Sequence, residues 1–152
     1  MPFDIRPAIP RDAPVLHAMN AAFNGDTGVS VEQIRHSLLA SPEVVLIAEC
    51  GGIPAGFCCA QVHHSFCYPA PAAEVTEMYV CPGFRGQGCA GEMLAFLQEH
   101  LRTHHGADEL HLLTGTDNQS AQAAYRKSGF LSKDEQYMKK AIPESPQSAN
   151  SP

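Results

Sequence analysis

The residues best placed to do chemistry lie where an apolar strand gives way to a glycine-bearing turn and then a helix. The stretch reads Val75-Thr76-Glu77-Met78-Tyr79-Val80, then Cys81-Pro82-Gly83-Phe84, then Arg85-Gly86-Gln87-Gly88-Cys89-Ala90-Gly91. The start of a helix leaves about four backbone N–H groups without partners, and the helix dipole puts partial positive charge at the same end. Glycines at 86 and 88 let the backbone approach an anion with no Cβ in the way, and Arg85 adds a permanent charge suited to phosphate. Together these make a pyrophosphate cradle. It is not a Walker A loop, because no Lys follows the glycines. Gly86-x-Gly88-x-x-Gly91 fits the dinucleotide fingerprint by letter, but its strand ends too early, at Val80. The acids that should close the next strand, Asp108 and Glu109, stand at its start. Glu77 is the one carboxylate between Val75 and Val80. A charge in an apolar strand is costly unless it is paired or serves a site.

A second block follows: Asn118-x-x-Ala121-x-x-Ala124-Tyr125-x-x-x-Gly129-Phe130. Arg85-Gly86-Gln87-Gly88-Cys89-Ala90 resembles the Arg/Gln-x-x-Gly-x-Gly/Ala motif of the GNAT superfamily of N-acetyltransferases. The second block is similar to that superfamily's Asn-x-x-Ala-x-x-x-Tyr-x-x-x-Gly-Phe signature. The blocks stand in the family's order, with room between them for one helix and one strand. Cys89 replaces a commoner aliphatic residue, and Ala124 stands where a larger apolar side chain is frequent. Family members that acetylate the N-termini of ribosomal proteins use a Glu on the strand before the Asn. Here that strand reads Leu110-His111-Leu112-Leu113-Thr114, without that Glu, which counts against that particular function.

The resemblance implies an acetyl-CoA-dependent N-acetyltransferase in which an amine attacks the thioester directly, in a ternary complex. Acetyl-CoA would lie in a V where two central strands splay apart. Met78, Tyr79 and Val80 would hold the pantetheine, with backbone groups of Tyr79 and Val80 polarising the acetyl carbonyl. Arg85, Gly86, Gln87, Gly88, Cys89, Ala90 and Gly91 would receive the pyrophosphate, and Asn118, Ala121 and Tyr125 would complete the donor site. Tyr125 lies two helical turns after Asn118, so both can face one groove. Its hydroxyl is the candidate acid for the departing thiolate, with the phenol near 10 and a thiol near 8.5. Asn118 is also a good helix N-cap. Glu77 is the candidate base or anchor for the amine, and His63 or His64 an alternative. Phe23, Asn24 and Asp26 would line the acceptor pocket. The acceptor would be a primary amine of a small molecule, such as an aminoglycoside, a polyamine or an amino acid. Protein lysines or N-termini, and a module that binds acetyl-CoA without turnover, are the alternatives. Homodimers are common in the family.

These side chains need a frame. Phe3 to Pro7 reads as a strand, and Val15, Leu16, Met19 and Phe23 fall on one face of a helix from Arg11 to Asn24. Ser30 and Gln33 form a capping box opening a second helix, which stops before Pro42. Glu43–Cys50 and Ile53–His64 are strands joined by Gly51-Gly52. Ala73–Val80 is the next strand, Gly88–His105 a long helix, Glu109–Thr114 a strand, Asn118–Lys127 a helix and Phe130–Met138 a last strand. The fold expected is α/β: a mixed, mostly antiparallel sheet flanked by helices, with one parallel crossover. Residues 1–141 read as one domain and 142–152 as a disordered tail.

Composition narrows the partners. A net charge of −6 argues against a general nucleic-acid binder and suits a cationic substrate. No apolar run approaches the roughly 20 residues of a membrane span, and the N-terminus has no signal-peptide pattern, so a cytoplasmic protein is expected. The six cysteines form no Cys-x-x-Cys pair, so free thiols and no metal are expected. Cys58 and Cys59, adjacent in a strand, should point to opposite faces.

Overall fold

The computed structural model describes residues 2–145. Five strands form one sheet in the order β1-β2-β3-β4-β5: Asp4–Pro7, Val44–Cys50, Ile53–His63, Ala72–Val80 and Glu109–Leu112. The first three pairings are antiparallel and β4–β5 is parallel. Four helices flank the sheet: α1 (Ala13–Asn24), α2 (Val31–Ala40), α3 (Cys89–His105) and α4 (Gln119–Lys127).

Local chemistry explains most boundaries. Ser30 accepts the Gln33 N–H while the Gln33 side chain accepts the Ser30 N–H, so the capping box forms and α2 starts at Val31. Arg11 does not begin α1. Pro10–Asp12 make a short 3-10 turn first, with the Asp12 carboxylate accepting from Ile9 N–H and bridging to Arg6 at 2.8 Å. That pairing holds the buried Asp12 carboxyl below its ordinary value. Helix α3 buries Cys89, Met93, Leu94, Leu97 and Leu101 along one face. It ends at Gly106, where the Gly106 and Ala107 N–H groups turn back to the Leu101 carbonyl.

The sheet separates two cores. On the α3 side lie Leu46, Cys58, Ala60, Val75, Met93 and Leu97; on the α1–α2 side lie Leu16, Met19, Ile47, Phe57, Cys59 and Tyr79. Cys58 and Cys59 thus face opposite layers, as alternation requires. Strand β3 is buried from Ala55 to Ala60 because both of its faces are covered. All six cysteines are free, and burial pushes the Cys58 thiol up to about 12. Leu97 is fully buried in the larger core. Leu97→Ala should cost about 2–5 kcal/mol, which thermal denaturation would register as a fall of roughly 4–20 °C in Tm.

The expected last strand does not form. Residues 130–145 carry no helix or strand, and Leu131, Tyr137 and Met138 are exposed. Ser132-Lys133-Asp134-Glu135-Gln136 is a polar run without alternation. Pairing it would bury too little apolar surface to offset the entropy of ordering the chain. Strand β5 is therefore the sheet edge among the described residues, and it ends at Leu112 rather than Thr114. Of the expected tail, residues 146–152 lie outside the described residues, and 142–145 are exposed. No helix among the described residues is long and apolar enough to cross a membrane.

Candidate active site

Strands β4 and β5 pair from Ala72↔Glu109 to Val75↔Leu112 and then part. Beyond that point β4 runs on to Val80 while the other chain turns away toward α4. The gap between them is a cavity of about 350 Å³. Phe23, Glu77, Met78, Val80, Ala90 and Asn118 border it, and Ala121, Ala124 and Tyr125 close it from α4. Eight residues singled out from the sequence as site residues therefore meet at one cleft, although they come from α1, β4, α3 and the start and body of α4.

Tyr79 is placed differently from its neighbours. Its side chain is buried against Phe57 and Phe23, with ring centroids 5.9 and 5.3 Å away, on the α1–α2 side of the sheet. Only its backbone can serve the cleft. Gly56 on β3 packs against that backbone: a Cβ there would lie 2.4 Å from the Tyr79 carbonyl oxygen. Sequence reasoning missed Gly56, because nothing local marks a glycine needed by the neighbouring strand.

The glycine turn sits at the α3 end of the cleft. Gly86 and Gly88 have φ of +72° and +91°, which only glycine adopts readily, and a Cβ at either would point into open space. The first intrahelical bond runs from Glu92 N–H to the Gly88 carbonyl. The N–H groups of Cys89, Ala90 and Gly91 therefore have no earlier partner in the helix. Gln87 braces the turn by donating to the Gly83 carbonyl at 2.8 Å. Arg85 donates from Nε to the Val80 carbonyl at 2.9 Å, which ties the turn to the end of β4. The Cys89 side chain points inward and is fully buried, so its substitution for an aliphatic residue is a change within the core.

Asn118 caps α4, its Oδ1 accepting from Ala121 N–H at 3.2 Å. Tyr125 then stands over the cleft, edge-on to Phe130. Burial raises the Tyr125 pKa. The smaller influence of a Cys58 thiolate is absent at neutral pH, because that thiol stays protonated.

A second cavity, of about 230 Å³, lies under α1 and α2. Leu16, Asn20, Gln33, Glu43, Phe57 and Cys59 border it, and so does Glu77. Glu77 thus touches both spaces. Glu43 was not singled out from the sequence, because it precedes β2 in an unremarkable context. Its carboxyl is raised, first by burial and then by the charge of Glu77. Asn24 and Asp26 border neither cavity. Asn24 donates to Asn20, and Asp26 accepts from Gly28 N–H within the loop. His63 lies away from Glu77 and pairs with Glu74 at 3.4 Å; His64 is exposed. Glu74 is half-buried at that contact.

The parted strand pair beside a helix N-terminus open to phosphate is the frame of an α/β acyl transferase. The acetyltransferase (GNAT) family model matches residues 14–130, and the chain belongs to that family. It is an acetyl-CoA-dependent N-acetyltransferase. Among solved structures, AAC(6')-Iy in complex with the bisubstrate analog CoA-S-monomethyl-acetylneamine superposes with a TM-score of 0.81 at 21% identity, over 94% of this chain and 100% of that one. A putative acetyltransferase from Arthrobacter sp. FB24 gives 0.77 at 26% identity, over 91% and 96%. The ribosomal-protein-alanine N-acetyltransferase from Brucella melitensis biovar Abortus 2308 gives 0.75 at 18% identity, over 95% and 100%. No curated protein matches the chain.

Proposed function

We propose that this enzyme acetylates a primary amine of a small molecule, aminoglycoside-like or polyamine-like, by direct attack on acetyl-CoA in a ternary complex. One observation carries the reading: Glu77 borders both the cleft between β4 and β5 and the cavity under α1 and α2. A group in that position meets the donor on one side and the acceptor on the other. Several solved neighbours are aminoglycoside acetyltransferases, which favours the same acceptor class.

The residues present fit acetyl-CoA. The unpartnered N–H groups at the start of α3 and the open space beside Gly86 and Gly88 suit its pyrophosphate. The apolar walls from Met78, Val80 and Ala121 suit its pantetheine arm. Bound there, acetyl-CoA supplies an activated thioester. Backbone groups at Tyr79 and Val80 orient its carbonyl, Glu77 accepts or steers the amine proton, and Tyr125 donates to the leaving sulfur. Glu43 adds a second carboxylate to the acceptor side, which suits an amine carrying further positive charge.

An alkylamine with a pKa near 10 is mostly protonated at neutral pH and must lose a proton before it attacks. Glu77→Gln keeps the shape and should keep acetyl-CoA binding. If Glu77 takes the proton, kcat falls, most steeply at low pH where free amine is scarce. If Glu77 only anchors the amine, KM rises and kcat holds. The measurement is the pH profile of both constants on the best amine from a panel assayed by thiol release. Superimposable profiles would give Glu77 a structural role and move the base to Glu43 or a bound water.

A further inference from the structure

Three side chains far apart in sequence meet on the sheet face that carries Glu77, beyond the cover of α1 and α2. Glu74 on β4 pairs in register with His111 on β5 and with Gln61 on β3. His63 stands two residues after Gln61, so it is a diagonal neighbour of Glu74 on the same face. His63 Nε2 lies 3.4 Å and His111 Nε2 3.9 Å from the same carboxylate oxygen, Glu74 Oε2. The two imidazoles are nearly parallel, with an interplanar angle of 20°. The three potential ligand atoms lie within 4.8 Å of one another. Glu109 approaches His111 from the other side, its Oε1 4.0 Å from Nδ1.

We propose that His63, Glu74 and His111 bind a divalent transition-metal ion of the Zn²⁺ class. Two neutral imidazoles and a carboxylate are a ligand set that such ions accept, with a fourth position left to water. Bond lengths of about 2.0–2.1 Å put tetrahedral ligands about 3.4 Å apart. The His63–Glu74 distance already has that value; the His111 imidazole must close from 3.9 Å to the carboxylate and from within 4.8 Å to His63, and its side chain is 44% exposed and free to turn. Glu109, its Oε1 4.0 Å from Nδ1, is close enough to serve as an outer carboxylate if the ring turns toward the ion, the arrangement that leaves the Nε2 lone pair free. The site ties together β3, β4 and β5 at the end of the sheet where β5 is short and, among the described residues, forms the edge. It lies roughly 10 Å along β4 from Glu77 by strand rise, so the ion clamps the strands and takes no part in acetyl transfer. The inference is independent of the acetyl-acceptor reading.

The test uses the full chain, stripped with a chelator and titrated with Zn²⁺ and, separately, Co²⁺. The expected result is one equivalent bound and a Tm raised by roughly 5–11 °C at a hundredfold excess over Kd. The Co²⁺ spectrum should lack thiolate charge transfer. The shift should vanish in a His63→Asn/His111→Asn double variant whose far-UV circular dichroism matches wild type. It should persist in Cys67→Ser, which removes the exposed thiol as a competing ligand. Should the double variant misfold, imidazole NMR of the wild type decides: Zn²⁺ must perturb two rings together. No stabilisation by either ion, a shift retained in the folded double variant, or a thiolate-bearing Co²⁺ spectrum would each overturn the site.

Discussion

Gly88→Val will fold, lose some stability and lose nearly all affinity for acetyl-CoA. Gly88 holds φ at +91° as the N-cap of α3, in a region that a β-branched residue enters only with strain. The strain should cost about 1–3 kcal/mol. No protein atom lies within 4 Å of the new Cβ, so the fold itself does not clash with it. What the side chain meets is the space beside the N–H groups of Cys89, Ala90 and Gly91. Hydrogen bonds to a charged partner are worth about 1.5–3 kcal/mol each. Losing two of them weakens binding roughly 10²- to 10⁴-fold. Calorimetric titration of acetyl-CoA measures this directly. The thermal shift that acetyl-CoA gives the wild type should disappear in parallel. A folded Gly88→Val protein with wild-type affinity would remove the start of α3 from the donor site.

Tyr125→Phe should lower kcat by about 10- to 10⁴-fold, the span that acid–base groups contribute, while acetyl-CoA affinity changes little because the ring stays on Phe130. The raised pKa of Tyr125 sets the pH signature. An acid whose pKa lies above its ordinary value near 10 keeps its proton throughout the neutral and mildly alkaline range. Its loss from the kcat profile should therefore begin only above about pH 10. An alkaline limb at lower pH that survives in Tyr125→Phe belongs to another group. Wild-type turnover in the Phe variant would show that solvent supplies the proton to the sulfur.

Much of this was legible in the residues themselves, and the reasons are local. The capping box at Ser30, the two-glycine turn after Cys50, the apolar face of α3 and the Asn118 cap are each decided within a few residues, so the sequence predicts them with their boundaries nearly in place. The glycine turn after β4 was legible for the same reason: Gly86 and Gly88 take positive φ directly before the open start of a helix. The strand expected over Phe130–Met138 failed because a strand is stabilised by its neighbours. Ser132 to Gln136 offer no apolar face to a neighbour.

The acceptor side depended on tertiary structure. Strand β4 alternates, and by simple alternation Glu77 would follow Ala73 and Val75 to the α3 face. The register between β3 and β4 instead slips at Cys59/Ala60, so that Cys59 pairs with Glu77 and Ala60 with Val75. Thr76 is the extra residue of the bulge. Beyond it the phase is reversed: Met78 and Val80 face α3, while Glu77 and Tyr79 face α1 and α2. An inserted residue changes the face of every residue after it. The sequence by itself determined that a carboxylate sits in an apolar strand just before a phosphate-binding turn. Which side of the sheet it faces, and that it shares a cavity there with Glu43, was decided by the pairing of two strands, because a bulge is a property of the pair and leaves no mark in either strand alone.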